Sequence, residues 1–248
     1  MQQYRFNFPL FIGLLIGAVV CSGAIYGVWR FQIGRKSGWL LSEAEKSREA
    51  SDFKEAARYY RDYLTIHPKD EEVRIKYALA QADITESDEI TFEDLSLAVG
   101  VLESTVRASD ISDKPEAKKL RRRLVELYGR DNIRRYTDAL EHLNYLLESD
   151  PTDPDLQTLR AANLARSGNF EEAVKLSYKL VGYDPEADEF DSKKATAASN
   201  VELYTNLAAT LRAKQDKPEL ADRVMEQLVE NNPKSAEAHL ARGRYQMS

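Results

Sequence analysis

The chain has 248 residues, is 43% hydrophobic and 31% charged, and carries a formal charge of −6. That balance excludes an integral membrane bundle. It also argues against nucleic acid as a partner, which calls for a basic face. The one cysteine, Cys21, rules out an intramolecular disulfide.

Residues 1–7 read as a short tail, and 8–29 carry no charged side chain. As a helix, 8–29 would span about 33 Å, against roughly 30 Å of bilayer hydrocarbon. Tyr4 and Arg5 precede the stretch, and Trp29, Arg30, Phe31, Arg35 and Lys36 follow it. Aromatics and cations at both ends suit headgroups, so the expectation is a single-pass transmembrane helix with a basic juxtamembrane linker at 30–36. The rival readings are a cleaved signal ending near Ser22-Gly23-Ala24, which would release a periplasmic binding protein, and a lipidated Cys21. Basic residues near the ends lean slightly towards a cytoplasmic C-terminal domain. Gly13, Gly17, Ala24 and Gly27 share one helical face and form a candidate packing surface for a homo-oligomer through this helix.

Beyond residue 36 a register emerges. Ala56, Ala139, Ala173 and Ala221 are each followed twelve residues later by a proline: Pro68, Pro151, Pro185 and Pro233. Leu64, Leu147, Val181 and Val229 sit between, and Ala44, Leu127, Ala161 and Ala209 stand twelve residues before the alanines. Small residues let antiparallel helices pack closely, and the proline ends the second helix of each pair.

On those residues the chain resembles the tetratricopeptide repeat family. The clearest copy runs from Pro154 to Pro185, with Ala161, Gly168, Phe170, Ala173 and Pro185 in family positions; Ser37–Pro68, Leu120–Pro151 and Glu202–Pro233 follow it. A second, degenerate unit places Tyr77 and Ala78 on its first helix and Ala98, Leu102 and Val106 on its second, with Asp110 in place of proline. Insertions stand at 83–94 and 186–199, each either a loop or a helix extension. Residues 236–248 read as the first helix of a sixth unit. The resemblance implies an all-α fold in which a right-handed superhelical solenoid over 37–248, about five helix pairs plus one helix, follows the membrane span.

The resemblance also implies a groove lined by the first helix of each pair. By register its candidates are Arg121, Leu124, Tyr128 and Asn132, then Asp155, Thr158, Ala162 and Arg166, then Leu203, Asn206, Thr210 and Lys214. The family's clamp for terminal carboxylates is absent, because Leu124, Thr158 and Ala162 occupy its positions. Catalysis finds no support: His67, His142 and His239 fall in different units, and no phosphate loop or metal motif occurs. No cofactor or metal is expected. Clustered cations at Lys118, Lys119 and Arg121–Arg123 read as a solvated helix face. The expected function is a membrane-tethered scaffold for protein or peptide partners, similar in layout to bacterial inner-membrane proteins with one N-terminal helix and a repeat domain. The other reading, from a different class, is the membrane-proximal part of a longer enzyme or regulator.

Overall fold

The computed structural model describes residues 8–87, 89–108 and 115–247, and for 8–13 and Ile16 it describes the backbone alone. The helices are α1 (Phe8–Glu49), α2 (Phe53–Ile66), α3 (Glu71–Ile84), α4 (Phe92–Arg107), α5 (Pro115–Tyr128), α6 (Tyr136–Ser149), α7 (Pro154–Arg166) and α8 (Phe170–Val181), then α9 (Val201–Lys214), α10 (Pro218–Asn231) and α11 (Ala236–Gln246). A short antiparallel pair, β1 (Tyr183–Asp184) and β2 (Glu189–Phe190), lies between α8 and α9. The fold is a succession of α-helical hairpins, and it divides into two compact units, Met1–Val101 and Leu102–Ser248. Asp110 lies outside the described residues.

In the first unit α1 runs 42 residues without a break. Residues 30–36, expected as a linker, continue the helix instead. They contain no proline, and just beyond them Ser37 folds back, its Oγ donating to the Ile33 carbonyl at 2.8 Å. Among the described residues no helix is long and apolar enough to cross a membrane. The expected span draws on the side chains of 8–13 and Ile16, which lie outside that set.

The α1–α2 hairpin closes on small residues: Ala44 and Ala56 are fully buried, with Tyr60, Val73 and Ala80 in the same core. Asp52 caps α2 by accepting from the Glu55 N–H at 3.1 Å. Asp70 caps α3 through the Val73 N–H at 3.1 Å, and its second oxygen accepts from the Tyr63 hydroxyl at 2.9 Å. The acidic insertion is a connection rather than a helix extension. It ends in a reciprocal cap, in which Thr91 Oγ1 accepts from the Asp94 N–H (3.1 Å) and Asp94 Oδ2 from the Thr91 N–H (3.2 Å).

In the second unit, prolines at the first turn open α5, α7 and α10, where the missing N–H costs nothing. Asp153, Asn200 and Ser235 cap α7, α9 and α11 through the N–H groups of Leu156, Leu203 and Ala238. One continuous core joins Ala161, Val174, Tyr204, Ala208, Ala221 and Met225. Helix α7 packs on α9, and α9 on α11, so the first helices of successive pairs make one layer. Helix α11 is held onto α10 by the Tyr245 hydroxyl, which donates to Asp222 at 2.7 Å, and by Arg242–Glu226 at 3.1 Å.

The second insertion departs from an all-helical expectation by the two-residue β ladder. Gly182 ends α8 in the left-handed region (φ 75°). From there the chain folds back along the helix: Asp191 N–H donates to the Gly182 carbonyl at 2.8 Å, and Ala197 N–H to that of Leu180 at 3.0 Å. Arg223 of α10 pins the hairpin tip, pairing with the Asp188 carboxylate at 2.7 Å.

Candidate functional site

The layer formed by α7 and α9 carries the most coherent candidate surface. A narrow cleft between the two helices is lined by Thr158, Ala161, Ala162 and Ala165 from α7 and by Asn206 and Thr210 from α9, with Ala173 and Ser177 of α8 at its back. Four residues picked out by register, Thr158, Ala162, Asn206 and Thr210, therefore meet at one place. The α7 wall is made of small side chains, while Leu203 and Leu207 stand with Asn206 and Thr210 on the α9 wall, and the space between is about 10 Å³. The Thr158 hydroxyl is buried without a hydrogen-bond partner among the described residues, while Thr210 Oγ1 is spent on the Asn206 carbonyl at 2.7 Å.

The ends of this layer are basic. Arg166 reaches from the end of α7 to the Gly129 carbonyl at 3.2 Å and to Glu202 at 3.4 Å, which ties three elements together. Lys214, exposed at the end of α9, lies 5.4 Å from the Phe170 ring centroid.

The third unit does not join this surface as the register implied. Leu124 and Tyr128 are buried to 0% and 1% exposure, so they are core residues. Asn132 is exposed in the loop after α5. Arg121 faces α6, where its guanidinium lies 3.9 Å from the Tyr145 ring centroid and bonds His142 Nδ1 at 3.0 Å. The physical reason is loop length. Residues 129–135 separate α5 from α6, whereas only 167–169 and 215–217 separate α7 from α8 and α9 from α10. A fixed alanine-to-proline spacing assumes the short turn and carries the first helix several residues too far along the chain.

These residues build a polar network on the side of α4 and α6 instead. Glu103 accepts from the Tyr128 hydroxyl at 2.7 Å and from Arg135 at 2.5 Å, and it also pairs with Arg107 at 3.2 Å. Burial works to raise the Glu103 carboxyl, but the hydrogen bonds from Tyr128 and Arg135 outweigh it and hold the pKa below the usual carboxylate range. Burial lowers the His142 pKa, and the Arg121 charge adds to that. His142 stacks on the Tyr128 ring with centroids 5.8 Å apart. His142 is thus a half-buried neutral acceptor.

His67 pairs with Ser37 Oγ at 2.8 Å, far in sequence from the other histidines. No group of acidic, histidine or cysteine side chains among the described residues could hold a metal ion. In the proposed helix-packing face, Gly17 and Gly27 have open space where a Cβ would stand. Ala24 is exposed, and the surroundings of Gly13 lie outside the described residues.

Comparisons with known proteins agree with this geometry. The sequence profile described as "Tetratricopeptide repeat" matches residues 130–188 and 206–248. Similar solved structures include MamA from Desulfovibrio magneticus RS-1, at 16% identity and TM-score 0.59, covering 81% of this chain and 97% of that one. Another is YrrB, described as a TPR protein with an unusual peptide-binding site, at 15% identity and TM-score 0.58, covering 82% and 90%. A search of curated protein sequences gives no match. The α7/α9 layer, the paired helices and the matched profile have one reading in common: residues 130–188 and 206–248 carry tetratricopeptide repeats.

Proposed function

We propose that this protein is a membrane-tethered interaction scaffold that binds a protein or peptide on the layer formed by α7 and α9. The observation that carries the binding half is the convergence of Thr158, Ala162, Asn206 and Thr210 on one small-residue cleft, with basic side chains at its ends. The cleft itself is only about 10 Å³, so the partner lies across its rim, where the Asn206 amide suits the hydrogen-bonding groups of an extended backbone. The described peptide binding of YrrB, on a similar fold, is consistent with this use. The polar network around Glu103 pairs Tyr128, Arg107 and Arg135 within the protein and serves stability, while Arg121 Nε beside it is buried without a hydrogen-bond partner among the described residues.

The tether half rests on the uncharged stretch at 8–29 and its flanking aromatics and cations. On this proposal the protein is single-pass in a bacterial inner membrane, and the slight excess of basic residues after the stretch favours the cytoplasmic side for the repeats. No catalytic group, cofactor or metal enters this reading.

Asn206→Trp fills the cleft from a half-buried position while keeping the α9 core. Native-membrane pulldown with the full chain should recover partners that this variant loses, with unchanged helical content by circular dichroism. If the same proteins bind the variant equally, the cleft is not the binding surface.

A further inference from the structure

This inference rests on the tether reading above and concerns the membrane-proximal face of the first unit. Phe31, Arg35 and Trp39 stand four residues apart along α1 and so share one face. Phe31 is 66% exposed and Trp39 55% exposed, both unusual for large aromatics. The Trp39 ring meets Tyr59 of α2 edge-on with centroids 5.6 Å apart, and the Arg58 guanidinium lies 4.5 Å from the Tyr59 centroid. Arg30, Arg35 and Lys36 are exposed and have no carboxylate partner among the described residues. Leu40 and Ala44, in contrast, are buried in the core. Helix α1 thus has one face committed to the repeat and another that is aromatic and basic.

We propose that this second face rests on an anionic bilayer surface, with Arg35 and Lys36 on lipid phosphates and Trp39 and Tyr59 at headgroup depth. Two physical arguments select lipid over a protein partner. First, α1 is unbroken from Phe8 to Glu49, so the face emerges directly from the stretch read as the span. Second, tryptophan, tyrosine and cations together are the composition that headgroups favour. The geometry is compatible. Trp39 lies ten residues beyond Trp29, about 15 Å along the axis. At the tilt of about 25° that fits a stretch of about 33 Å into roughly 30 Å of hydrocarbon, it stands about 14 Å above Trp29. Its side chain then points back towards the helix N-terminus, which is towards the lipid. A stretch of about 33 Å in roughly 30 Å of hydrocarbon already favours tilting.

The chain has only two tryptophans, Trp29 and Trp39, so each can be read alone. The full chain is reconstituted into vesicles of phosphatidylcholine with or without phosphatidylglycerol. Trp29→Phe leaves Trp39 as the reporter, and Trp39→Phe leaves Trp29. The proposal expects Trp39 to be blue-shifted and several-fold less accessible to the neutral quencher acrylamide in the anionic vesicles than in the neutral ones. Adding Arg35→Gln and Lys36→Gln should return it to the neutral-vesicle value. Equal acrylamide access in both lipids, with Trp29 still quenched by brominated lipid, overturns the surface contact and leaves the tether standing. An unquenched Trp29 overturns the tether and the surface contact together.

Discussion

Replacing Gly182 by alanine should destabilise the second unit much more than the same change at Gly168. Both glycines have left-handed backbone, at φ 75° and 89°. For an alanine that conformation alone costs about 1–2 kcal/mol. At Gly168 nothing lies within 4 Å of the added Cβ, so the cost stops there. At Gly182 the Cβ would meet the Asp191 carbonyl oxygen at 2.4 Å and the Ala195 nitrogen at 2.9 Å. Both are backbone atoms that cannot rotate away. The insertion must lift, and the bonds from Asp191 N–H and Ala197 N–H back to α8 go with it. At about 0.5–1.5 kcal/mol each, the total for Gly182→Ala reaches about 2–5 kcal/mol. For a chain of this size each kcal/mol moves the melting temperature by about 2–4 °C. Urea and thermal unfolding of both variants, followed by circular dichroism, compare the two. Equal losses would refute the docked insertion.

Other outcomes follow from the polar network. Glu103→Gln exchanges charge-assisted bonds for neutral ones and should cost about 1–3 kcal/mol by urea unfolding. Because the folded pKa of Glu103 is lowered, its contribution is complete above the ordinary carboxylate pKa and is lost as pH falls through the folded value. The variant should therefore show a shallower acid-side loss of stability. His142 works on a higher window. Its folded pKa is also lowered, so the unfolded chain takes up the proton first, and stability falls as pH drops through about 6.5 towards the folded value. His142→Gln should flatten the urea midpoint across that window, and an unchanged slope would deny the histidine its buried neutral state. Leu143→Ala removes a side chain of 0% exposure from α6 and should cost about 2–5 kcal/mol without touching the α7/α9 cleft.

The repeat register was readable because close helix packing demands a small residue at the crossing. Ala44, Ala56, Ala139 and Ala221 are all fully buried. The proline marks were readable for a similarly local reason, since α2, α6 and α10 each end two residues before Pro68, Pro151 and Pro233. Helix α5 was misplaced because spacing counts residues and not loop geometry. Its true start carried a signal in Pro115 followed by Glu116, the pairing that opens a helix. The burial of Tyr128 and the pairing of His142 could not be read, because their partners, Glu103 on α4 and Arg121 on α5, each lie an element away. The β ladder at 183–190 is two residues per strand, too short for alternation to show, although Gly182 advertised the end of α8. Of the groove candidates, those in α7 and α9 converge because their connecting turns have the length that the spacing presumes.

The central claim is that partners are held on the layer made by α7 and α9. A photo-crosslinking residue placed at Ala165 or Asn206 lines that cleft, and one at Glu172 or Lys179 stands on exposed positions of α8. Irradiated in native membranes and analysed by mass spectrometry, the full chain should crosslink the same partner from both cleft positions and from neither α8 position. A partner captured from α8 alone would contradict the account.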